Sequence, residues 1–300
     1  MLKIAWSPIY AHPLPEGHRF PMLKYELIPE QLIHEGTIDK DNLFSPFKVD
    51  EKFILLSHDK FYWEKLKTLQ LEKNEIRRIG FPLSQQLVER ETTIVQGTIE
   101  NAKFALEHGI SMNCAGGTHH AGKDFGEGFC LLNDIAIASH FLLDQRLRKR
   151  ILIVDLDVHQ GNGTANIFQG QKEVFTFSMH GEKNFPLIKP KSNLDIPLPD
   201  GTNDELYLNL LNENLSKIIK SFDPDFIFYQ SGVDILETDK LGRLSVTKDG
   251  CAERDKMVFE KCKSNSIPVA VCMGGGYSER INDIVEAHCN TFRLAQSIFF

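Results

Sequence analysis

The chain has 300 residues, of which 42% are hydrophobic and 25% charged, enough to bury a large core. Its 34 basic and 41 acidic residues leave a net charge of −7, which argues against non-specific binding to nucleic acid or to an anionic membrane surface. No apolar stretch reaches membrane-span length. The six cysteines, with no Cys-x-x-Cys pair, read as reduced structural thiols, with cytoplasm as the default compartment.

The N-terminal segment has no signal-peptide pattern and opens on a short strand at Lys3–Trp6. The Pro- and Gly-rich stretch from His12 to Pro21 reads as a surface loop, Leu23–His34 as a helix, Phe53–Ser57 as a strand and Tyr62–Leu71 as a helix. From Thr92 onward helices and strands alternate. Thr92–Glu107 is a helix, Ser111–Asn113 a strand, Asn133–Leu143 a helix, and Ile151–Asp155 and Val174–Met179 are strands. Thr202-Asn-Asp-Glu205 has capping-box spacing and opens a helix through Ser221. Asp225–Gln230 is a strand, Thr247–Cys262 a helix, Pro268–Met273 a strand and Ser278–Phe299 the last helix. This order predicts one α/β unit over residues 1–300, an open, mainly parallel sheet with helices on both faces in three layers. No linker, charge block or repeat divides it.

The segment Ile151-Leu-Ile-Val-Asp155-Leu-Asp157-Val-His159 runs a buried strand into two carboxylates and an imidazole at alternate positions. Alternate positions share one side of a strand, and three unpaired polar groups there are costly to bury without a cation. Carboxylate with imidazole suits zinc, so Asp157 and His159 are candidate ligands, joined by Asp234 after the strand 225–230. Asp234 alone reads equally well as a strand-end capping carboxylate. Three protein ligands leave a coordination position for water and a substrate oxygen. The adjacent His119 and His120 lie in a glycine-rich loop, where histidine is the natural proton shuttle near neutral pH. Gly274-Gly-Gly276 lacks the spacing of a phosphate loop and better fits close backbone approach to a ligand, followed by the Tyr277 hydroxyl. Every unusual polar group sits just past the carboxyl end of a strand, where open parallel sheets build their sites.

Taken in order, Gly-Gly-Thr-His119-His120, Gly128-Phe-Cys-Leu-Leu-Asn133-Asp, Asp155-Leu-Asp-Val-His-Gln-Gly-Asn-Gly163-Thr, Ser231-Gly-Val-Asp234 and Gly274-Gly-Gly-Tyr277 resemble the zinc-dependent histone deacetylase superfamily. Gly17-His-Arg-Phe-Pro-Met22 is similar to the N-terminal loop of its bacterial members, and the stretch from Asp234 to Ser245 is most similar to the class IV branch. The resemblance implies an arginase/deacetylase fold and hydrolysis of an N-acyl amide, that of an acylated lysine or a related acylated amine. By position it implies zinc on Asp157, His159 and Asp234. It implies catalytic roles for His119, His120, Tyr277, Asp155 and Asn162, with His120 as the base. Gly128, Phe129, Phe185 and Gly275 would bind substrate. Main-chain oxygens of Asp155, Asp157 and His159, with Ser178 and Met179, would form a potassium site.

Two departures stand out. Class I members pair the second histidine with an aspartate, whereas neutral Asn162 stands here, as in class II and IV. The loop around Gly80-Phe81-Pro82 lacks the acidic residue with which many lysine deacetylases grip a substrate backbone, which weakens the case for a long peptide. Acyl length stays open, because class IV relatives accept long chains. Rival readings are an acetylpolyamine amidohydrolase, a ureohydrolase-like binuclear enzyme of the same fold, and a non-catalytic binder of acylated ligands. The binuclear rival needs further carboxylates where Gly161 and Asn162 stand.

Overall fold

A computed structural model describes residues 1–300. The N-terminal third contains β1 (Lys3–Ala5), α1 (Lys24–His34), β2 (Leu43–Phe44), α2 (Glu51–Ile54), α3 (Lys60–Lys67), α4 (Lys73–Ile79) and α5 (Gln85–His108). The middle follows with β3 (Ile110–Asn113), α6 (Asp134–Asp144), β4 (Ile151–Asp155), α7 (Asn162–Ile167), β5 (Val174–Gly181) and β6 (Leu194–Leu198). The last third holds α8 (Asp204–Phe222), β7 (Phe226–Gln230), α9 (Lys248–Ser264), β8 (Val269–Cys272) and α10 (Ile281–Phe299).

All strands join one parallel sheet in the order β2-β1-β3-β8-β7-β4-β5-β6. Its central strands β4, β7 and β8 are fully buried and mainly apolar, as cover on both faces requires, with the polar Asp155 and Gln230 at the carboxyl ends of β4 and β7. Their side chains alternate between two cores. Leu152 and Val154 of β4, with Ile227 and Tyr229 of β7, face a cluster shared with α1, α8, α9 and α10. Ile151 and Ile153, with Phe226 and Phe228, face a second cluster shared with α3, α5 and α6. Helices therefore cover both faces of the sheet, giving the three layers expected from the alternating pattern.

The irregular first ninety residues hold the main corrections. Phe53–Ser57 is not a strand: Phe53 and Ile54 close α2, and the rest is turn. The Asp50 carboxylate accepts from the Lys52 N–H and starts a helical turn that the apolar run alone does not announce. The helix expected from Thr92 starts at Gln85, where the Ser84 hydroxyl accepts from the Leu87 N–H. Asn203, not Thr202, caps α8, accepting from the Leu206 N–H. The edge strands β2 and β6 escape a sequence reading because one has two residues and the other carries Pro197, which only an edge tolerates.

Candidate active site

Strands β3, β8, β7 and β4 are neighbours at the centre of the sheet, so the loops leaving their carboxyl ends converge. They bring His119–His120, Tyr277, Asp234 and Asp157–His159 together around one pocket. The Nδ1 atom of His159 lies 3.0 Å from Asp157 Oδ1 and 3.1 Å from Asp234 Oδ2. Each carboxylate is aimed by a backbone amide on its other oxygen. The Gly275 N–H donates to Asp157 Oδ2 at 2.8 Å, and the Val158 N–H donates to Asp234 Oδ1 at 2.9 Å. A side chain at Gly275 would bring its Cβ within 2.1 Å of Asp234 Oδ2, so the loop after β8 approaches this closely only as glycine.

The electrostatics fit a cation. Burial, together with the charge of Asp157, pushes the Asp234 carboxyl up to about 7. Burial opposes protonation of His159, but hydrogen bonds from its ring to Asp157 and Asp234 outweigh it and push that imidazole up to about 10. A positive charge is thus stabilised at the point where the three donor atoms meet, all within 4.8 Å of one another. Two carboxylates, each oriented by a backbone amide, and an imidazole form a donor set able to hold a metal ion. One such group is present. At Gly161, where the binuclear pattern calls for a ligand-bearing side chain, an added Cβ would lie 2.4 Å from Asp155 Oδ2.

The two histidines beside it have different environments. His119 Nδ1 is 2.7 Å from Asp155 Oδ2; burial alone would depress this imidazole, but Asp155 and Asp157 raise it. His120 Nδ1 is 2.6 Å from Asn162 Oδ1, and burial, with His119 and His159 nearby, holds it well below the usual histidine range. The Asn162 amide in turn donates to Glu127 Oε2 at 2.9 Å. That contact fixes Asn162 Oδ1 as the acceptor facing His120, so His120 Nδ1 carries the proton and Nε2 is the basic nitrogen.

Tyr277 completes the pocket. Its ring centroid lies 6.3 Å from that of His159 and 6.1 Å from that of Phe129, and its backbone N–H is held by Asp239 Oδ2 at 2.5 Å. Burial, then Asp157 and Asp234, keeps its hydroxyl protonated well above the ordinary tyrosine range. Phe129 sits at φ +69 next to Gly128 at φ +54, a conformation unfavourable for an aromatic residue. It is pinned there by hydrogen bonds from the Phe129 and Gly128 N–H groups to the Ile79 and Arg78 carbonyls, at 2.7 and 3.1 Å. Phe185 stands across the opening, its ring perpendicular to His120 at 4.9 Å. Ser178 pairs in register with Asp155 across β4–β5, placing the remaining candidate residues, including Met179, beside the same strand end.

Several positioning residues were given no role by the sequence. Asp134, fully buried at the start of α6, accepts from the Gly117 and Thr118 N–H groups at 3.1 and 2.9 Å and so fixes the histidine loop. Arg254 of α9 is also fully buried; it donates to the Gly232 carbonyl at 2.5 Å and the Leu156 carbonyl at 3.4 Å, and Asp255 neutralises it at 2.8 Å. It thereby ties together the loops bearing Asp157 and Asp234. Lys24 is buried behind the glycine loop, where its Nζ donates to the Gly274 carbonyl at 3.1 Å; burial lowers it to about 8. The loop expected at the surface before Pro21 supplies Phe20 to the aromatic wall, 5.2 Å from Phe129 and 6.0 Å from Tyr277. Phe81, in the loop lacking an acid, is buried beneath that wall, 5.1 Å from Phe129.

The histone deacetylase domain profile matches residues 18–292. An uncharacterized protein of Picosynechococcus sp. is 44% identical over 296 residues, 99% of each chain. Histone deacetylase 2 of Arabidopsis thaliana is 29% identical over 269 residues, spanning 87% of this chain and 70% of its own. Histone deacetylase B of Dictyostelium discoideum is 31% identical over 272 residues, with 83% and 63% covered. The crystal structure of the HDA15 HD domain superposes with a TM-score of 0.81 at 19% identity, covering 99% of this chain and 90% of that one, and shows the shared fold. Fold and domain together define the class as a deacetylase-type hydrolase on an arginase/deacetylase scaffold. The chain belongs to the histone deacetylase family.

Proposed function

We propose that the protein is a zinc-dependent deacylase that hydrolyses the amide of an acylated lysine or a related acylated amine. The observation that carries this reading is the meeting of Asp157, His159 and Asp234 beside His120 and Tyr277 in one pocket. Zinc held by those three side chains would polarise the amide carbonyl and acidify water enough for it to attack near neutral pH. His120 Nε2, left basic by the Nδ1 contact to Asn162, takes a proton from the attacking water. It returns that proton to the leaving nitrogen as the C–N bond breaks, releasing the amine and a carboxylate. His119, paired with Asp155, supplies positive charge beside the reacting carbonyl. The Tyr277 hydroxyl donates to the oxygen that gains negative charge. Phe129 and Phe185 flank the acyl-lysine stem.

A potassium ion at the main-chain oxygens of Asp155, Asp157 and His159, with Ser178 and Met179, belongs to the same proposal. So do the class IV-like branch and a reducing, cytoplasmic setting, the latter supported by six buried free thiols. Substrate profiling of the zinc-loaded protein on acetyl-lysine, longer acyl-lysine and acetylpolyamine compounds tests the reading. Acetyl release is expected, with both metal and turnover lost in Asp157→Ala. Failure on the whole panel despite bound zinc would make the protein a binder instead.

A further inference from the structure

The mouth above the reacting groups carries charge opposite to that of the whole molecule. A cavity of about 480 Å³ opens from His120, His159 and Tyr277 to solvent, and its rim presents Arg19, Arg78, Lys183 and Arg243. Glu127 is its one carboxylate, already engaged by Asn162 at 2.9 Å. Asp200, outside the lining, is shared by Lys183 at 3.4 Å and Arg243 at 3.5 Å. Arg19 and Arg78 have no acidic partner within ion-pair distance. The Arg19 guanidinium stands 5.0 Å over the Phe129 ring, at the aromatic wall itself, and Arg78 Nε is anchored on the Gly126 carbonyl at 3.2 Å. Four cations thus face two carboxylates around the opening of a chain whose net charge is −7. Low-dielectric walls concentrate such a field in a cleft and select for ligands of opposite sign.

Resting on the deacylase reading above, we propose that the natural substrate is an anionic acylated amine, with a carboxylate or comparable group positioned where the stem leaves the tunnel. A polyamine end or a lysine-rich flank meets the same field with the wrong sign. This rim also accounts for the missing acid in the loop at Phe81. A cationic rim engages charge carried by the substrate, whereas an acidic gripping residue would engage its backbone amides.

Three amides of matched length isolate the charge: 5-acetamidopentanoate, N-pentylacetamide and N-acetylputrescine, which end in a carboxylate, a methyl and an ammonium group. Acetyl-lysine peptides flanked by Glu, Gln or Lys form a second series. With zinc-loaded enzyme, kcat/KM is expected to fall from anion to neutral to cation, with about tenfold or more between the extremes, equivalent to about 1.4 kcal/mol. The ratio should shrink at high salt, because screening leaves exposed charges a reach of about 3 Å near 1 M. It should shrink again in Arg19→Gln and in Arg243→Gln. Preference confined to the small amides would identify a small-molecule substrate, and preference confined to the peptides a polypeptide; either supports the anionic class. Hydrolysis of the neutral compounds with no charge preference, or with the cation favoured, overturns this inference and leaves the deacylase reading intact. Hydrolysis of none of them, with zinc bound, overturns both.

Discussion

At the residue scale the site divides into groups that line the pocket and groups that aim them. Tyr277→Phe removes one hydroxyl from the pocket without touching the Asp157–His159–Asp234 set. It is expected to lower kcat by about 10²–10³, equivalent to roughly 2.7–4 kcal/mol, with metal content unchanged. Unchanged turnover would remove Tyr277 from the reaction. The chain His120–Asn162–Glu127 makes a subtler claim, because Glu127 acts only by holding the Asn162 amide in one orientation. Glu127→Ala is expected to lose about tenfold or more in kcat with little change in KM, while Glu127→Gln, which keeps an acceptor, retains more. Asn162→Asp alone sets two carboxylates against each other, and adding Glu127→Gln should recover activity. A double-mutant cycle on kcat with no coupling would show that the contact is ornamental. Asp157, His159, His119, His120 and Tyr277 were legible in the sequence because their types and spacings are rare together. The roles of Glu127, Asp134 and Lys24 were not, since an acid or lysine shows what it positions only when the fold reveals its partner.

At the scale of elements, the site depends on how helices grip the loops. His58 is buried between α2 and α3, and its Nε2 accepts from the backbone N–H of Asn133, the cap of α6, at 2.9 Å. Burial lowers this imidazole to about 4 from an ordinary 6.5, so it is neutral in the folded chain. A folded-state value below the unfolded one gives stability that is complete above about pH 6.5 and is lost as pH falls toward about 4. The loss amounts to roughly 3 kcal/mol from this residue. Denaturant midpoints measured across that window should flatten in His58→Gln; an unchanged slope would exonerate the residue. Arg254 makes the second test at this scale. Its buried pair with Asp255 positions the loops after β4 and β7, and breaking such a pair by removing one partner costs about 3–5 kcal/mol. Arg254→Met should lower thermal stability and also weaken metal retention, whereas stability loss alone would limit the arginine to packing. The strands β4, β7 and β8 were readable as short apolar runs, and α6, α8 and α9 by their periodicity. The run at Phe53 was misread because four apolar residues in a row fit either period, and the Asp50 cap decides between them.

Across the whole molecule, parallel topology does the assembling. The order β3-β8-β7-β4 makes neighbours of strands far apart in sequence, so segments near residues 119, 157, 234 and 277 meet without any local motif joining them. Strand-end placement of the polar groups was legible in the sequence; which strands lie side by side was not, because pairing order leaves no periodicity to read. The cationic mouth was hidden for a related reason, since its residues come from separate segments of an acidic chain. A metal that binds only the folded state should stabilise it by about 2.7 kcal/mol at a free concentration of about 100 Kd, so chelation should lower the melting temperature by several degrees. The central claim is that Asp157, His159 and Asp234 together hold one catalytic ion. Metal analysis of the zinc-loaded protein beside Asp234→Asn addresses it most directly. About one zinc per chain in the parent protein, with most of it lost in the variant, is the expected result. Full retention in Asp234→Asn, or no uptake by the parent, would contradict it.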